Sequence, residues 1–156
     1  MLVRMSVDID APPEAVWPYL VEPEKTMAWF TALKKYEWDS DERGVGATFY
    51  WFEEAAGREY NIWFETTEWE PNRVFGYRMT RGDFFASYDE GREIEETAFG
   101  SRFTFNDHIE FPYGPIGKII GWFGARNAEK TGAEVLQNLK RLVESSNHDP
   151  ERDPAT

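Results

Sequence analysis

The chain has 156 residues, 41% of them hydrophobic, which excludes a disordered polypeptide and suits one domain with a real core. Against 17 basic residues stand 29 acidic ones, a formal net charge of −12; this argues against nucleic-acid partners and anionic lipid surfaces, which need basic patches. There is no cysteine, so disulfides, thiolate metal sites and cysteine nucleophiles are excluded.

In chain order, Val3, Met5, Val7 and Ile9 alternate with Arg4, Ser6, Asp8 and Asp10, the period of a half-buried strand. Ala11-Pro12-Pro13-Glu14 then starts a short helix that reaches about Leu20, and Pro18 kinks it or ends it early. Glu22-Pro23-Glu24 restarts a second short helix through Met27, Trp29, Phe30 and Leu33. From about Tyr36 the period changes to two. Gly44 and Gly46 mark a turn, and Ala47, Phe49 and Trp51 alternate with Thr48, Tyr50 and Phe52. Ala55-Ala56-Gly57 forms a hairpin loop into a strand in which Tyr60, Ile62, Phe64 and Thr66 share one face.

Pro71-Asn72 turns the chain into a strand from Val74 to Thr80. Arg81-Gly82-Asp83 reads as a turn, and Phe84 to Glu96 as a longer strand bulged at Glu90-Gly91. The next strand carries Phe103, Phe105, Asp107 and Ile109 on one face. A long helix runs from about Ile116 to Ser145, with Val135, Leu136, Leu139, Leu142 and Val143 at helical spacing. The polar stretch 147–156 is expected to be disordered. Strands and helices come in runs without alternating, which indicates α+β. No stretch approaches the roughly 20 apolar residues of a membrane span, and without a signal core a cytoplasmic protein is expected.

Several stretches carry a family resemblance. IDAPPEAVWPYL (Ile9 to Leu20), RGVGATF (Arg43 to Phe49), ETTEWEPNRVFGYR (Glu65 to Arg78), FGSRFTF (Phe99 to Phe105) and VLQNLKRLVES (Val135 to Ser145) resemble, in order and spacing, the START-like superfamily, also called SRPBCC. The group includes polyketide cyclase/dehydrase-like proteins, ligand-carrying plant allergens and lipid-transfer domains. The resemblance covers about residues 2 to 146 and implies a single helix-grip domain over 1–146. Its curved antiparallel sheet of about seven strands wraps a long C-terminal helix, with two short helices after the first strand and a cavity between sheet and helix.

On that frame, Gly117, Gly121 and Gly124 in the first half of the long helix either thin it over a cavity or let bulky sheet residues pack closely. Inward parity and helix position make Phe49, Trp51, Ile62, Phe64, Phe103, Phe105, Trp122 and Phe123 the expected wall of an apolar ligand site. Tyr60, Arg92 and Asp107 are the expected polar contacts. Trp29 and Phe30 are either lid residues at the cavity mouth or packing onto the long helix. In the last hairpin, pairing Glu96 with Ser101 sets Ile94 against Phe103, Arg92 against Phe105 and Glu90 against Asp107. The resulting Glu90, Arg92 and Asp107 cluster, joined by Glu53, is either an anchor for a polar ligand group or a solvated strand end.

His108 points outward by parity, and His148 lies in the tail. No metal-ligating spacing or nucleophile-base signature is present, and no cofactor is expected. Three functions follow: binding of a small-to-medium hydrophobic ligand as carrier or sensor, cyclase/dehydrase-like catalysis, or a protein-interaction role like that of related chaperone activators. The first is the principal expectation. The sequence leaves the oligomeric state open.

Overall fold

A computed structural model describes residues 1–148 except 56 and 113, with the side chains of 115–129 outside the described set. Eleven elements follow in order: β1 (Leu2–Ile9), α1 (Pro13–Val16), α2 (Pro18–Val21), α3 (Pro23–Trp29), β2 (Leu33–Trp38), β3 (Thr48–Ala55), β4 (Arg58–Glu70), β5 (Val74–Gly82), β6 (Ser87–Thr97), β7 (Gly100–Glu110) and α4 (Gly114–Asn147). The strands form one antiparallel sheet in the order β1-β7-β6-β5-β4-β3-β2. Strands β2 to β7 are a meander, and β1 adds beside β7. The first two strands therefore lie at opposite edges, and the three short helices carry the chain between them. The sheet curls about α4, whose Leu136, Leu139 and Val143 are buried. This is the α+β helix-grip arrangement.

Proline divides the helical segment. Pro18 and Pro23 each open a new helix at its first turn, where a missing N–H costs nothing. The break leaves the last carbonyls of α2 without helical partners, and long side chains take them. Tyr19 O accepts from Thr26 Oγ1 at 3.0 Å and Trp29 Nε1 at 2.7 Å. Leu20 O accepts from an Arg92 guanidinium nitrogen at 3.2 Å, and Val21 O from Trp38 Nε1 at 3.1 Å. A four-residue helix is thus pinned to the sheet by its own frayed end.

Three local expectations are corrected. Leu33 opens β2 instead of ending the second helix: the helical bonds stop with Phe30 N on Thr26 O, and Leu33 pairs with Glu53 of β3. Arg81 and Gly82 continue β5, pairing with Trp63 and Ile62. The turn lies beyond them, where Asp83 accepts from Asn61 N and Nδ2 at 3.1 and 2.9 Å. Phe84 there takes a left-handed φ of 72°, a region it shares only with Asn72 among the described non-glycine residues. No bulge interrupts Glu90-Gly91, because the register of β6 runs unbroken against both β5 and β7. Irregularities occur instead in β2 at Leu33/Lys35 and in the β4–β5 pair at Trp63/Phe64 and Thr66/Glu68.

The β6–β7 tip is fixed by contact. Gly100 has φ 141°, and a Cβ there would sit 2.2 Å from Ile9 O and 2.8 Å from Ala11 N, so only glycine fits. Ser101 Oγ donates to Ala11 O at 2.6 Å.

Candidate functional site

The interior divides into a solid aromatic core and a cleft. Phe49, Trp51, Ile62, Phe64 and Phe103 are all fully buried. The rings of Phe49, Trp51, Phe64 and Tyr77 lie within 5.0–5.6 Å of one another, the spacing of mutually packed aromatics. Among the described residues these five expected wall residues pack in the buried core and do not line the cleft; their parity is inward as expected. Tyr60 is also displaced from its expected place: it stands at the sheet end against Phe84 and Phe85, 5.9 and 5.4 Å away.

The cleft, about 170 Å³ in volume, lies nearer β1. Trp29 of α3 and Phe30 just after it, Val3 of β1 and Phe105 of β7 give it an apolar wall, with Thr131, Gly132 and Val135 of α4 opposite. Tyr88, Glu90, Arg92 and Asp107 form its polar end. Helix α4 comes close to β1 here because residue 132 is glycine; a Cβ would meet Met5 Sδ at 2.7 Å. Trp29, Phe30, Phe105, Arg92 and Asp107 are thus brought together as the sequence suggested. Trp122 and Phe123, and the three glycines at 117, 121 and 124, belong to the side chains outside the described set. Val3, Tyr88, Thr131, Gly132 and Val135 were absent from the expected lining, and Glu90 was expected only as a member of the charged cluster. Tyr88 and Glu90 share the parity of Arg92, a signal that was legible; Gly132 carried none.

The β6–β7 register sets Arg92 opposite Phe105 and Glu90 opposite Asp107, as read from the sequence. The alternative of a solvated rim is overturned for Arg92 and Glu90, which are 1% and 8% exposed. Arg92 Nε donates to Glu90 Oε1 at 2.6 Å, and Tyr88 OH donates to Glu90 Oε2 at 3.0 Å. The guanidinium lies 5.2–5.4 Å from the rings of Trp29, Trp51 and Tyr77, a cation held among π faces. Burial, the largest single influence, would lower the Arg92 pKa, but Glu90 together with Tyr77 and Tyr36 more than offsets it and holds the group above its ordinary value.

Two further carboxyls lie beside this pair. Glu53 of β3 is 8% exposed, and burial, reinforced by the charge of Glu90, pushes it up to about 8. Asp107 is raised well above the usual carboxylate range by burial and then by Glu90, with Arg92 opposing. Glu53 Oε1 and Asp107 Oδ1 are shut off from solvent without a hydrogen-bond partner. Glu53 is therefore largely a neutral acid near pH 7, and Asp107 is pushed in the same direction; in the protonated form each can donate where a carboxylate could only accept.

His108 is exposed, with Nε2 3.9 Å from Glu110. Among the described residues, no group of three or more His, Cys, Asp or Glu is placed to hold a metal ion. No described helix is long and apolar enough to cross a membrane.

A family model described as polyketide cyclase/dehydrase and lipid transport matches residues 2–144. The chain belongs to that family. Solved structures place this polyketide cyclase/dehydrase-like chain in the START-like fold. A protein from Thermus thermophilus matches with a TM-score of 0.79 at 19% identity, covering 94% of this chain and 99% of that one. The Zhui aromatase/cyclase from a Streptomyces species matches with a TM-score of 0.77 at 14% identity, covering 96% of each chain. A START superfamily protein from Mycobacterium smegmatis matches with a TM-score of 0.71 at 16% identity, covering 93% of this chain and 98% of that one. No curated protein matches the chain.

Proposed function

We propose that this chain binds a small, mostly apolar ligand in the cleft between α3, α4 and the β1–β7–β6 side of the sheet. The observation that carries the reading is the pairing of an apolar wall with a buried charged floor. Trp29, Phe30, Phe105 and Val135 supply area to desolvate a ligand, while Asp107 supplies a polar group to orient it. Such convergence is the usual make-up of a small-molecule site. Phe49, Trp51, Ile62, Phe64 and Phe103 act as the rigid backing of the site.

A cleft of about 170 Å³ suits a ligand of about one ring; an apolar cavity near 150 Å³ holds benzene. Burying about 200 Å² of apolar ligand surface is worth about 5 kcal/mol before the cost of association. Affinity for such a probe is therefore expected in the micromolar to millimolar range. Titration with 4-phenylbutan-1-ol, followed by Trp fluorescence and by chemical shifts of Trp29 and Val135, tests this directly. Saturable shifts at those residues support the reading. Shifts confined to the outer face of the sheet would reject it.

A second reading is favoured by one feature, the raised carboxyl of Asp107 at the cleft wall. A neutral acid facing a bound carbonyl can assist proton transfer, the step that cyclisation or dehydration of a polyketone requires. Turnover of a reactive polyketone, lost in Asp107→Asn, would establish it. The interaction-module reading needs a contiguous apolar patch. Among the described residues, the large hydrophobics most exposed are Leu2, Val45 and Phe99. Leu2 and Phe99 lie toward opposite ends of the β1–β7 pair, so they do not form such a patch together.

A further inference from the structure

The cleft and the solid core meet at one side chain of β1. Val3, Met5 and Val7 share the inward face of that strand. Val3 lines the cleft, and Val7 belongs to the core. Met5 stands between them, paired with Phe105 of β7. On α4 the same boundary runs between Gly132 and Val135, which line the cleft, and Leu136 and Leu139, which are buried in the core. Met5 does not line the cleft itself. Its thioether lies behind two residues that do. A Cβ on Gly132 would stand 2.7 Å from Met5 Sδ and 3.4 Å from Phe105 Cζ. The end of Met5 therefore fills the place that a side chain at 132 would take.

We propose that Met5 is the adjustable stop of the cleft, the residue that sets how large a ligand it accepts. The inference rests on the reading of the cleft as a ligand site and adds its limit of size. Met5 is half-buried although it points inward, whereas Val3 and Val7 on the same face are each 8% exposed; its side chain is the least enclosed of the three. It is also the softest wall available. An unbranched thioether adapts its shape to what it touches. The other described side chains at this boundary are rings or branched aliphatics, which close packing holds in place. The bare Cα of Gly132 opposes no side chain to the movement.

As it stands, Met5 closes the end of a cleft of about 170 Å³, room for about one ring. Turning it away joins the space behind Gly132 and Phe105 to the cleft. A ligand with a single ring fits with Met5 in place. A ligand with two fused rings fits only when Met5 moves.

The test pairs 4-phenylbutan-1-ol with 4-(2-naphthyl)butan-1-ol, titrated by calorimetry into the purified chain and into chain carrying ¹³C-methyl methionine. Both probes are expected to shift Trp29 and Val135. The naphthyl probe should also move the Met5 methyl resonance, which is assigned by its loss in Met5→Leu, and the phenyl probe should leave it in place. In Met5→Ala the naphthyl-to-phenyl affinity ratio should rise about tenfold, the scale of roughly two more buried methylene groups. In Met5→Leu, which conserves volume but not adaptability, the ratio should fall.

A Met5 methyl that stays in place with the naphthyl probe, or moves as far with the phenyl one, overturns the assignment and leaves the apolar-ligand reading standing. So does a ratio unchanged in Met5→Ala. Binding of neither probe overturns both. Should Met5→Ala fail to fold, the methyl resonance of the native chain and the ratio in Met5→Leu still decide the question.

Discussion

One hairpin carries two arginines, and they make nearly the same bond. Arg92 Nε reaches Glu90 at 2.6 Å, and Arg102 Nε reaches Asp8 at 2.8 Å. The first pair has side chains 1% and 7% exposed, the second 51% and 69%. Distance alone would rank them together, but water separates them. On the outer face solvent screens the attraction and already satisfies both partners when they part. On the inner face neither ion can recover its hydration, so each holds the other at its post. A contact of one length is decoration on one side of a strand and a constraint on the other.

The sharpest way to break the comparison is to remove one inner partner. Arg92→Leu leaves Glu90 buried without its cation and frees the Leu20 carbonyl. Urea unfolding is expected to show a loss of about 3–5 kcal/mol. Replacing both partners, as Arg92→Leu with Glu90→Leu, is expected to recover a large part of that loss, since a buried pair often exchanges for apolar bulk at little cost. A double variant as unstable as the single one would mean that the pair contributes more than mutual neutralisation.

Next in size is truncation between the two arginines. Phe103 is fully buried, stacked edge-on against Trp29 at 6.2 Å, and Phe103→Ala is expected to cost about 3–5 kcal/mol at most, with unfolding of α3 contacts detected first by Trp fluorescence.

Glu53 sharpens the comparison through pH. Its carboxyl in the folded chain sits at about 8, against an ordinary 4.5. Between those values the folded state keeps a proton that the unfolded state has lost, so stability falls as pH rises across that window. Glu53→Gln removes the titration. The variant should gain in melting temperature over the native chain as pH goes from 5 to 8, and the gap should level off above 8. A gap that stays flat would show that Glu53 is ionised in the fold throughout.

The smallest effect belongs outside. Arg102→Gln is expected to leave the thermal midpoint unchanged within error at moderate salt, because both ends of that pair are solvated.

The hairpin was the most legible part of the chain. Alternation from Ile94 to Glu90 and from Phe103 to Asp107 fixed both faces, since a period of two leaves no choice once one residue is known to be buried. The closing helix was legible by its own period, with Val135, Leu136, Leu139, Leu142 and Val143 at spacings of three and four. Leu33 was not: Trp29, Phe30 and Leu33 fit a helical spacing, and the true assignment depends on β3, some twenty residues downstream. Burial of the charge cluster was also beyond reach of local pattern. It depends on α2 ending where Pro23 forces it to, so that Leu20 can accept from Arg92. Parity gave the direction of Phe49, Trp51 and Phe64, but direction does not reveal whether facing rings meet.

The tight seat of Gly100 against Ile9 and Ala11 has a kinetic side. The hairpin tip cannot lift without displacing the backbone that leads from β1 into α1, and Ser101 ties the same two segments. The amides of 9–11 and 100–101 should therefore exchange with deuterium together, at one common rate, as a single opening unit. That would make this corner a single cooperative hinge, at the end of the β6–β7 hairpin opposite the turn at Phe84.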